Sequence, residues 1–441
     1  KNINYFITNN KDRFINVEKH IDRCYEGFIR NEYSVKMVSD LIVEMDSYAS
    51  ESPFISGMRN LDVLGFSEDE HVGFLLLCYH IFKVGLSPIE YSRFSKHPDY
   101  ERIIKGKEGL LSRGIIRRAG SNSDNPERTE LQRGRYLPTP YALGELFHGR
   151  KELFSLDRLS KNAEILWASS IRKKELFFNE ANRGDIERLY KLLDPERFTS
   201  IVGRLHSRGR KASASCLLYG PPGTGKTELA KQLALATGRD LVIADAAKLL
   251  GSWHGDSEKN FKELFESYRY LQCISDNAPI LLFNEADSLI SKRTHELRQA
   301  IDRIENRLQN ILLQALEDFE GILIATSNLT ENMDMAFERR FLYKINIQLP
   351  DAETREKLWR SMIPDMAAED SKVLALQYEF TGGQIDNVAQ KRDIDEVLFD
   401  VKPSLEQMLD YCDNERISSA VGGKNTLGYN NSFFNLGGTL S

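Results

Sequence analysis

The sequence has few cysteines, no long apolar run and no surplus of positive charge. Its 441 residues include five scattered cysteines, of which no two form a C-x-x-C pair. This pattern argues against a disulfide framework or a zinc site, and it favours buried thiols in a reducing cytoplasm. The apolar stretch at residues 72–82 is short and interrupted by His80, so we expect no membrane contact. The net charge of −6 argues against a chain that is coated with nucleic acid over its whole surface.

The most informative motif is the loop at residues 220–227, which reads Gly-Pro-Pro-Gly-Thr-Gly-Lys-Thr and follows an apolar run at 216–219. Glycines let backbone N–H groups turn inward and form a nest for phosphate oxygens. Lys226 supplies a positive charge for the β- and γ-phosphates, and the Thr227 hydroxyl can ligate Mg²⁺. A helix predicted to begin near Lys226 directs its positive dipole end at the same anion. The order of strand, loop and helix predicts a nucleoside triphosphate site.

The residues predicted to contact the nucleotide are Gly220, Pro221, Pro222, Gly223, Thr224, Gly225, Lys226, Thr227 and Glu228.

Short apolar runs alternate with longer helical patterns after this loop. The runs lie at residues 241–244, 280–283, 322–325 and 343–347. Continuous apolar runs of this length suit a parallel sheet that is covered by helices on both faces. An apolar face at three- and four-residue spacing over residues 301–315 supplies one such helix. The predicted fold class is α/β, with a doubly wound parallel sheet.

An acidic group follows the buried run at residues 280–283. Asn284, Glu285 and Asp287 come directly after it. Hydrolysis needs a carboxylate that orients and polarises the attacking water, and Glu285 is the candidate for this catalytic role. A solvated acidic strand end is the alternative interpretation.

These motifs together resemble the AAA family of P-loop ATPases over about residues 176–415. Residues 324–328 look like the family's sensor strand, and its last residue, Asn328, would help to place the lytic water. Residues 334–339 fit the family's Asp-x-Ala-x-x-Arg stretch. By that likeness Arg339, with Arg340 as its substitute, would reach into the site of a neighbouring subunit. A surface arginine in a salt bridge is the alternative.

The resemblance implies ATP and Mg²⁺ as cofactors and a ring of identical chains, expected to be a hexamer. Trp253, His254 and Gly255 resemble the family's pore loop, which grips an extended polypeptide in the central channel. An exposed aromatic ring offers a large contact area without side-chain specificity. This likeness implies a protein substrate that is threaded or remodelled, whereas core packing of Trp253 is the alternative.

Two positions depart from the family pattern. The family usually has Asp before the catalytic Glu, where this chain has Asn284. Its amide can accept a hydrogen bond from a Mg²⁺-bound water but brings no negative charge, so Thr227 and Asn284 are the expected metal-side residues. A nucleotide-binding switch with little hydrolysis is therefore an alternative function. The family's second arginine falls on Leu342.

The N-terminal third resembles a winged-helix domain. Residues 110–116 look like the turn from a recognition helix into a wing strand, and residues 134–138 look like the returning strand. Residues 91–135 hold eleven Lys or Arg against six Asp or Glu, so a DNA-associated ATPase or regulator is a further alternative. Winged helices also serve as protein-docking modules.

The chain is predicted to divide into five parts. They are a winged-helix-like domain at 1–150, a linker with the start of the AAA module at 151–199, the P-loop ATPase core at 200–350, a helical lid at 351–415 and a Gly/Asn/Ser-rich tail at 416–441.

Overall fold

The fold is taken from a computed structural model. It describes residues 78, 89–90, 110–118, 135–148, 163–245, 249, 256–290, 300–328 and 334–421.

The described strands form two separate sheets. The strands are β1 (Ile89–Glu90), β2 (Ile116–Arg118), β3 (Arg135–Pro138), β4 (Ala163–Leu166), β5 (Ser213–Tyr219), β6 (Leu241–Asp245), β7 (Ile280–Asn284), β8 (Gly321–Ser327) and β9 (Tyr343–Asn346). The smaller sheet has the order β1-β3-β2, and the six-stranded sheet has the order β4-β6-β7-β8-β5-β9. The larger sheet carries the candidate site at its carboxyl edge.

Some of the described helices pack on this sheet, and those near the carboxyl end of the chain form a core of their own. They are α1 (Pro140–Phe147), α2 (Glu180–Leu193), α3 (Pro195–His206), α4 (Lys226–Thr237), α5 (Asp256–Ile274), α6 (Asp287–Ile290), α7 (Ala300–Asp318), α8 (Met335–Glu338), α9 (Ala352–Met362), α10 (Ala368–Gln377), α11 (Gly382–Phe399) and α12 (Leu405–Val421), with a 3-10 turn at Ala168–Ser170. Among the described residues, no helix is both long enough and apolar enough to span a membrane.

The prediction of a parallel α/β core is confirmed, with one difference at the edge. Strands β5 to β9 run parallel to their neighbours, with Cys216 of β5 opposite Ile324 of β8 and Tyr343 of β9. Strand β4 instead pairs antiparallel with β6 and closes that edge of the sheet. Strand β4 lies within the stretch predicted as a linker at 151–199, and its four residues are too few for a strand pattern and are mostly half-buried.

Strand β5 leads into the glycine-rich loop and helix α4. The strand is buried from Ala214 to Leu218, and Leu229, Ala230 and Leu233 of α4 are completely buried against the sheet. At Gly220 the φ angle is +142°, and a Cβ atom there would lie 2.1 Å from the carbonyl oxygen of Ile347. Only glycine permits this approach of the loop to the end of β9.

Helices α9 to α12 form a separate helical unit with its own apolar core. Trp359, Leu374, Ile385 and Cys412 are each completely buried there. Arg355 of α9 joins helix α10 to the segment that follows β9, because its guanidinium donates to the carbonyls of Ala375 at 2.9 Å and Pro350 at 2.6 Å. This unit lies where the sequence analysis placed a helical lid.

The described N-terminal residues pack against helix α5 of the core. Arg117 of β2 forms a 2.6 Å ion pair with Glu266, and the Tyr270 hydroxyl donates to the carbonyl of Pro138 at 2.5 Å. Strands β2 and β3, which match the predicted wing, pair antiparallel. Most of residues 1–109 lie outside the described residues, so the winged-helix fold stays a prediction. Most of residues 91–135 also lie outside them, and the DNA contact stays a prediction too.

Candidate nucleotide site

The ammonium group of Lys226 lies inside the glycine-rich loop. Lys226 is 6% exposed and donates to the carbonyl oxygens of Gly220 at 2.9 Å and Pro221 at 2.7 Å. Burial lowers the pKa of Lys226, whereas the carboxylates of Asp287 and Glu285 act in the opposite direction. The ammonium has three N–H donors, so one remains for a ligand oxygen after both loop carbonyls are satisfied.

The remaining loop residues form the wall of the same site. Gly223 and Gly225 have φ angles of +75° and +88°, which L-residues with side chains rarely adopt. The Thr224 hydroxyl donates to the Pro221 carbonyl at 2.9 Å, and Pro222 is exposed. Glu228 lies in the first turn of α4 and accepts a hydrogen bond from Gln232 at 2.8 Å. The loop leads directly into the amino end of α4, where the positive end of the helix dipole suits an anion.

The Thr227 hydroxyl and the Asn284 amide are joined directly. Thr227 Oγ1 donates to Asn284 Oδ1 at 2.7 Å, and Thr326 Oγ1 donates to the same oxygen at 3.1 Å. Because the Thr227 proton is directed at Asn284, the lone pairs of Thr227 Oγ1 are free to ligate a cation. The two predicted metal-side residues thus lie side by side and fit a Mg²⁺ ion that is also held by phosphates.

Glu285 lies at the end of β7 in an unusual backbone conformation. Its φ angle is +52°, and its side chain is exposed. Its backbone N–H donates to Thr326 Oγ1 at 3.0 Å, and the next N–H, that of Ala286, donates to the Thr326 carbonyl at 2.8 Å. A left-handed conformation costs a residue with a side chain about 1–2 kcal/mol. Such strain is most often kept where it directs a functional side chain, here the candidate base.

Asp287 connects the end of β7 with the end of β8. Its Oδ1 accepts a 2.5 Å hydrogen bond from the Ser327 hydroxyl and a 2.9 Å bond from the backbone N–H of Asn328. The Asn328 side chain is exposed beside the carboxyl edge of the sheet. Glu285 and Asn328 thus directly follow the neighbouring strands β7 and β8.

The helical unit touches the glycine-rich loop at the start of α11. The backbone N–H of Gly383 donates to the carbonyl of Gly223 at 3.0 Å. Thr381 and Gln384 form a reciprocal capping box that fixes the first turn of α11. A Cβ atom on Gly223 would lie 2.6 Å from Thr381 Oγ1, so this contact also requires glycine.

Arg339 and Arg340 have different surroundings although they are adjacent. Arg340 forms an ion pair with Glu317, and its Nη1 donates to the Ala336 carbonyl at 3.4 Å. The side chain of Arg339 is exposed, and it has no ion pair with any residue that the structure describes. Its backbone is held by helix α8, which Asp334 caps. Leu342, where a second arginine was expected, is 64% exposed.

Three features of the site were not predicted from the sequence, namely the bridging hydroxyl of Thr326, the role of Asp287 as a connecting residue, and the contact of the Thr381–Gly383 turn with the loop. Asp287 belongs to the acidic group that follows the buried run at residues 280–283, so the sequence did indicate that it lies near the site. The sequence did not indicate a role for Thr326, because threonine is common in strands. Trp253, His254 and Gly255 lie outside the described residues, so their pore-loop role stays a prediction.

Comparison with known proteins agrees with this geometry. The family model described as "AAA: ATPase family associated with various cellular activities (AAA)" matches residues 216–349. The chain contains an AAA domain. The matched residues of the AAA domain run from β5 to just beyond β9, and they include the loop, Glu285, Asn328 and Arg339.

Individual relatives match over a similar part of the chain. Vacuolar protein sorting-associated protein 4 of Dictyostelium discoideum is 31% identical over 193 residues, which cover 42% of this chain and 42% of that protein. Spastin of Drosophila mojavensis is 30% identical over 200 residues, covering 43% of this chain and 24% of spastin. The chain thus spans less than half the length of these curated relatives. The matched family model is described as one of ATPases.

Proposed function

We propose that this chain is a Mg²⁺-dependent ATPase that acts as a homo-oligomeric ring, expected to be a hexamer, and remodels or threads a protein substrate. The observation that carries the proposal is the hydrogen-bonded series Thr227–Asn284–Thr326–Glu285 at the carboxyl edge of the sheet. It joins the loop that would hold the phosphates to the backbone of Glu285, whose carboxylate would activate water. In a parallel α/β sheet, ligands bind at this edge.

The chain's own residues divide the reaction between binding and proton transfer. Lys226 would direct its remaining N–H and its positive charge at the β- and γ-phosphate oxygens, and the amino end of α4 would face the same charge. Glu285 would accept a proton from the attacking water, which Asn328 would orient from the neighbouring strand. Thr227 and Asn284 would hold Mg²⁺, which neutralises developing charge on the phosphates.

The ring is supported by the exposed guanidinium of Arg339. A permanent positive charge without an ion pair among the described residues is suited to the transferred phosphate of a neighbouring subunit. A protein substrate is supported by the resemblance of Trp253, His254 and Gly255 to a pore loop. One relative is also named for protein sorting.

A nucleotide switch with little turnover is the second candidate, and the neutral Asn284 favours it. An amide replaces a carboxylate at the metal side, so less charge balances Mg²⁺ there. The DNA-associated alternative has less support in the described residues, because Arg117, one of its basic residues, already pairs with Glu266.

The deciding experiment measures Mg²⁺-dependent ATP hydrolysis by the full chain as protein concentration is raised. We expect specific activity to rise with concentration, because each site would need a neighbour's arginine. Glu285→Gln should lower kcat by about 10²–10⁴-fold and still bind ATP. Glu320→Gln, an exposed glutamate just before the opposite end of β8, serves as the matched control. If wild type binds ATP but turns over no faster than Glu285→Gln, the ATPase proposal is rejected in favour of the nucleotide switch.

A further inference from the structure

We propose that Thr326 is a positioning residue that orients both the Asn284 amide and the Glu285 carboxylate. Thr326 is 2% exposed, and its hydroxyl contacts both residues, at 3.1 Å from Asn284 Oδ1 and 3.0 Å from the backbone nitrogen of Glu285. This inference rests on the ATPase proposed above, and it assigns a specific role to one further side chain of that site.

A hydroxyl satisfies the two neighbours in a way that an aliphatic side chain does not. The Glu285 N–H needs a hydrogen-bond acceptor, and Asn284 Oδ1 needs a hydrogen-bond donor. A single side chain between them must therefore both accept and donate a hydrogen bond, as a hydroxyl can. Thr326 Oγ1 accepts from the first and donates to the second. Valine has nearly the same shape but would leave the Glu285 N–H without this partner, in a backbone that is already in the left-handed region.

The amide at position 284 makes the donor from Thr326 more important than it would be beside a carboxylate. A carboxylate has two oxygens and presents an acceptor whichever way it rotates, whereas an amide has one oxygen and one NH₂. Asn284 Oδ1 accepts hydroxyl protons from both Thr227 and Thr326. These two donors keep the oxygen, and not the NH₂, toward Thr227. With the amide reversed, the NH₂ would donate to Thr227 Oγ1 and compete with a cation for its lone pairs.

The test compares Thr326→Val, which removes the hydroxyl, with Thr326→Ser, which keeps it. In the full chain, Thr326→Val should lower kcat by roughly 10-fold, the effect of one lost hydrogen bond. It should also raise the Mg²⁺ concentration that half-saturates ATP binding, while ATP affinity measured in EDTA stays unchanged. Thr326→Ser should restore both values to near wild type. A purely structural role would instead lower the melting temperature and affect ATP affinity with and without Mg²⁺ equally.

A double-mutant cycle with Asn284→Asp separates the two contacts. In the Asn284→Asp background, Thr326→Val should no longer change the Mg²⁺ dependence, because a carboxylate needs no orientation. It should still lower kcat through Glu285. Equal effects of Thr326→Val on the Mg²⁺ dependence in both backgrounds would overturn the orientation of the amide.

Failure of this inference differs from failure of the proposed ATPase. If wild type does not hydrolyse ATP, the ATPase proposal fails, and the Mg²⁺ dependence of nucleotide binding still tests Thr326. If wild type hydrolyses ATP and Thr326→Val matches it in kcat and Mg²⁺ dependence, only the role of Thr326 is rejected.

Discussion

The backbone N–H of Gly383 donates a 3.0 Å hydrogen bond to the carbonyl of Gly223, so the first turn of α11 rests on the glycine-rich loop. Gly223 also faces Thr381 closely enough that no Cβ atom fits between them. Helix α11 is one of the longest elements of the helical unit, and Ile385 and Val388 anchor it in that unit's core. A change in loop conformation must therefore move α11 or break this contact.

We expect Gly223→Ala to displace the start of α11 from the loop, and Gly225→Ala to leave it in place. Both glycines have positive φ angles, so both substitutions cost about 1–2 kcal/mol of backbone strain. Only at Gly223 does the new Cβ meet the helix, whereas at Gly225 it meets no atom within 4 Å. Hydrogen exchange of the amides at residues 381–388 should accelerate in Gly223→Ala alone. Equal protection in the two variants would show that the contact does not hold α11.

Arg339→Ala should abolish most ATP turnover without weakening ATP binding. Arginines that act from a neighbouring subunit contribute about 10³–10⁵-fold to kcat. A mixing experiment tests whether Arg339 acts in this way. Glu285→Gln subunits keep the arginine but lack the base, and Arg339→Ala subunits keep the base but lack the arginine. Mixing two inactive variants should restore part of the activity, and no recovery would place Arg339 outside a shared site.

Arg340→Ala is the matched control for this experiment, because the two arginines are adjacent and differ in their partners. Arg340 already pairs with Glu317 of its own chain. Its removal should lower the free energy of unfolding by up to about 1 kcal/mol, as for a partly exposed ion pair. We expect kcat to stay within a few-fold of wild type. A loss as large as that of Arg339→Ala would assign the role to Arg340.

The nucleotide loop could be predicted from sequence because its chemistry is local. Eight consecutive residues are enough to place Lys226 and Thr227 at a helix terminus, and no contact with a distant part of the chain is needed for this. The role of Thr326 could not be predicted, because it depends on the register that sets β8 beside β7, with Phe283 opposite Ala325. The Gly223–Gly383 contact joins residues 160 positions apart, and neither residue type indicates a partner.

The difference between Arg339 and Arg340 illustrates the same limit. The spacing after Asp334 predicted that Arg339 reaches into a neighbouring subunit's site, with Arg340 as the substitute for that role. Their surroundings depend on Glu317 at the end of α7, which the spacing does not include. The antiparallel edge strand β4 was missed for another reason. Strand β4 forms because β6 offers it an edge to pair with, and a four-residue strand is too short to show a clear pattern of apolar residues in the sequence.

Asp351, which caps helix α9, should make the helical unit sensitive to acid. Its carboxylate accepts a 2.8 Å hydrogen bond from the Thr354 N–H, and this bond lowers the pKa of Asp351. A lowered pKa stabilises the fold above the unfolded value, near 3.9, and that stability is lost as pH falls through the folded pKa. Asp351→Ala should cost about 1 kcal/mol at pH 7. Asp351→Asn keeps a cap oxygen and should remove only the part of the pH dependence that Asp351 contributes, which urea unfolding at pH 7 and pH 3 of the variant and wild type can measure.

Asn284→Asp should strengthen Mg²⁺ binding to the ATP complex. The substitution adds a negative charge beside Thr227 while keeping an acceptor for both threonine hydroxyls. Mg²⁺ is a hard cation that prefers carboxylate oxygen, so the half-saturating Mg²⁺ concentration should fall several-fold. Titration of Mg²⁺ into ATP-loaded Glu285→Gln protein, with and without Asn284→Asp, measures this without turnover.

Asn277→Asp provides the same change of charge just before the opposite end of β7, and it should leave Mg²⁺ affinity unchanged. The added carboxylate at position 284 also lies near Glu285 and Asp287, which oppose it, and near Lys226, which attracts it. If the Mg²⁺ affinity of Asn284→Asp equals that of Asn277→Asp, the amide already serves the metal as well as a carboxylate would. In that case the neutral Asn284 no longer favours the nucleotide switch with little turnover, and other residues of the site must determine the rate of ATP hydrolysis by wild type.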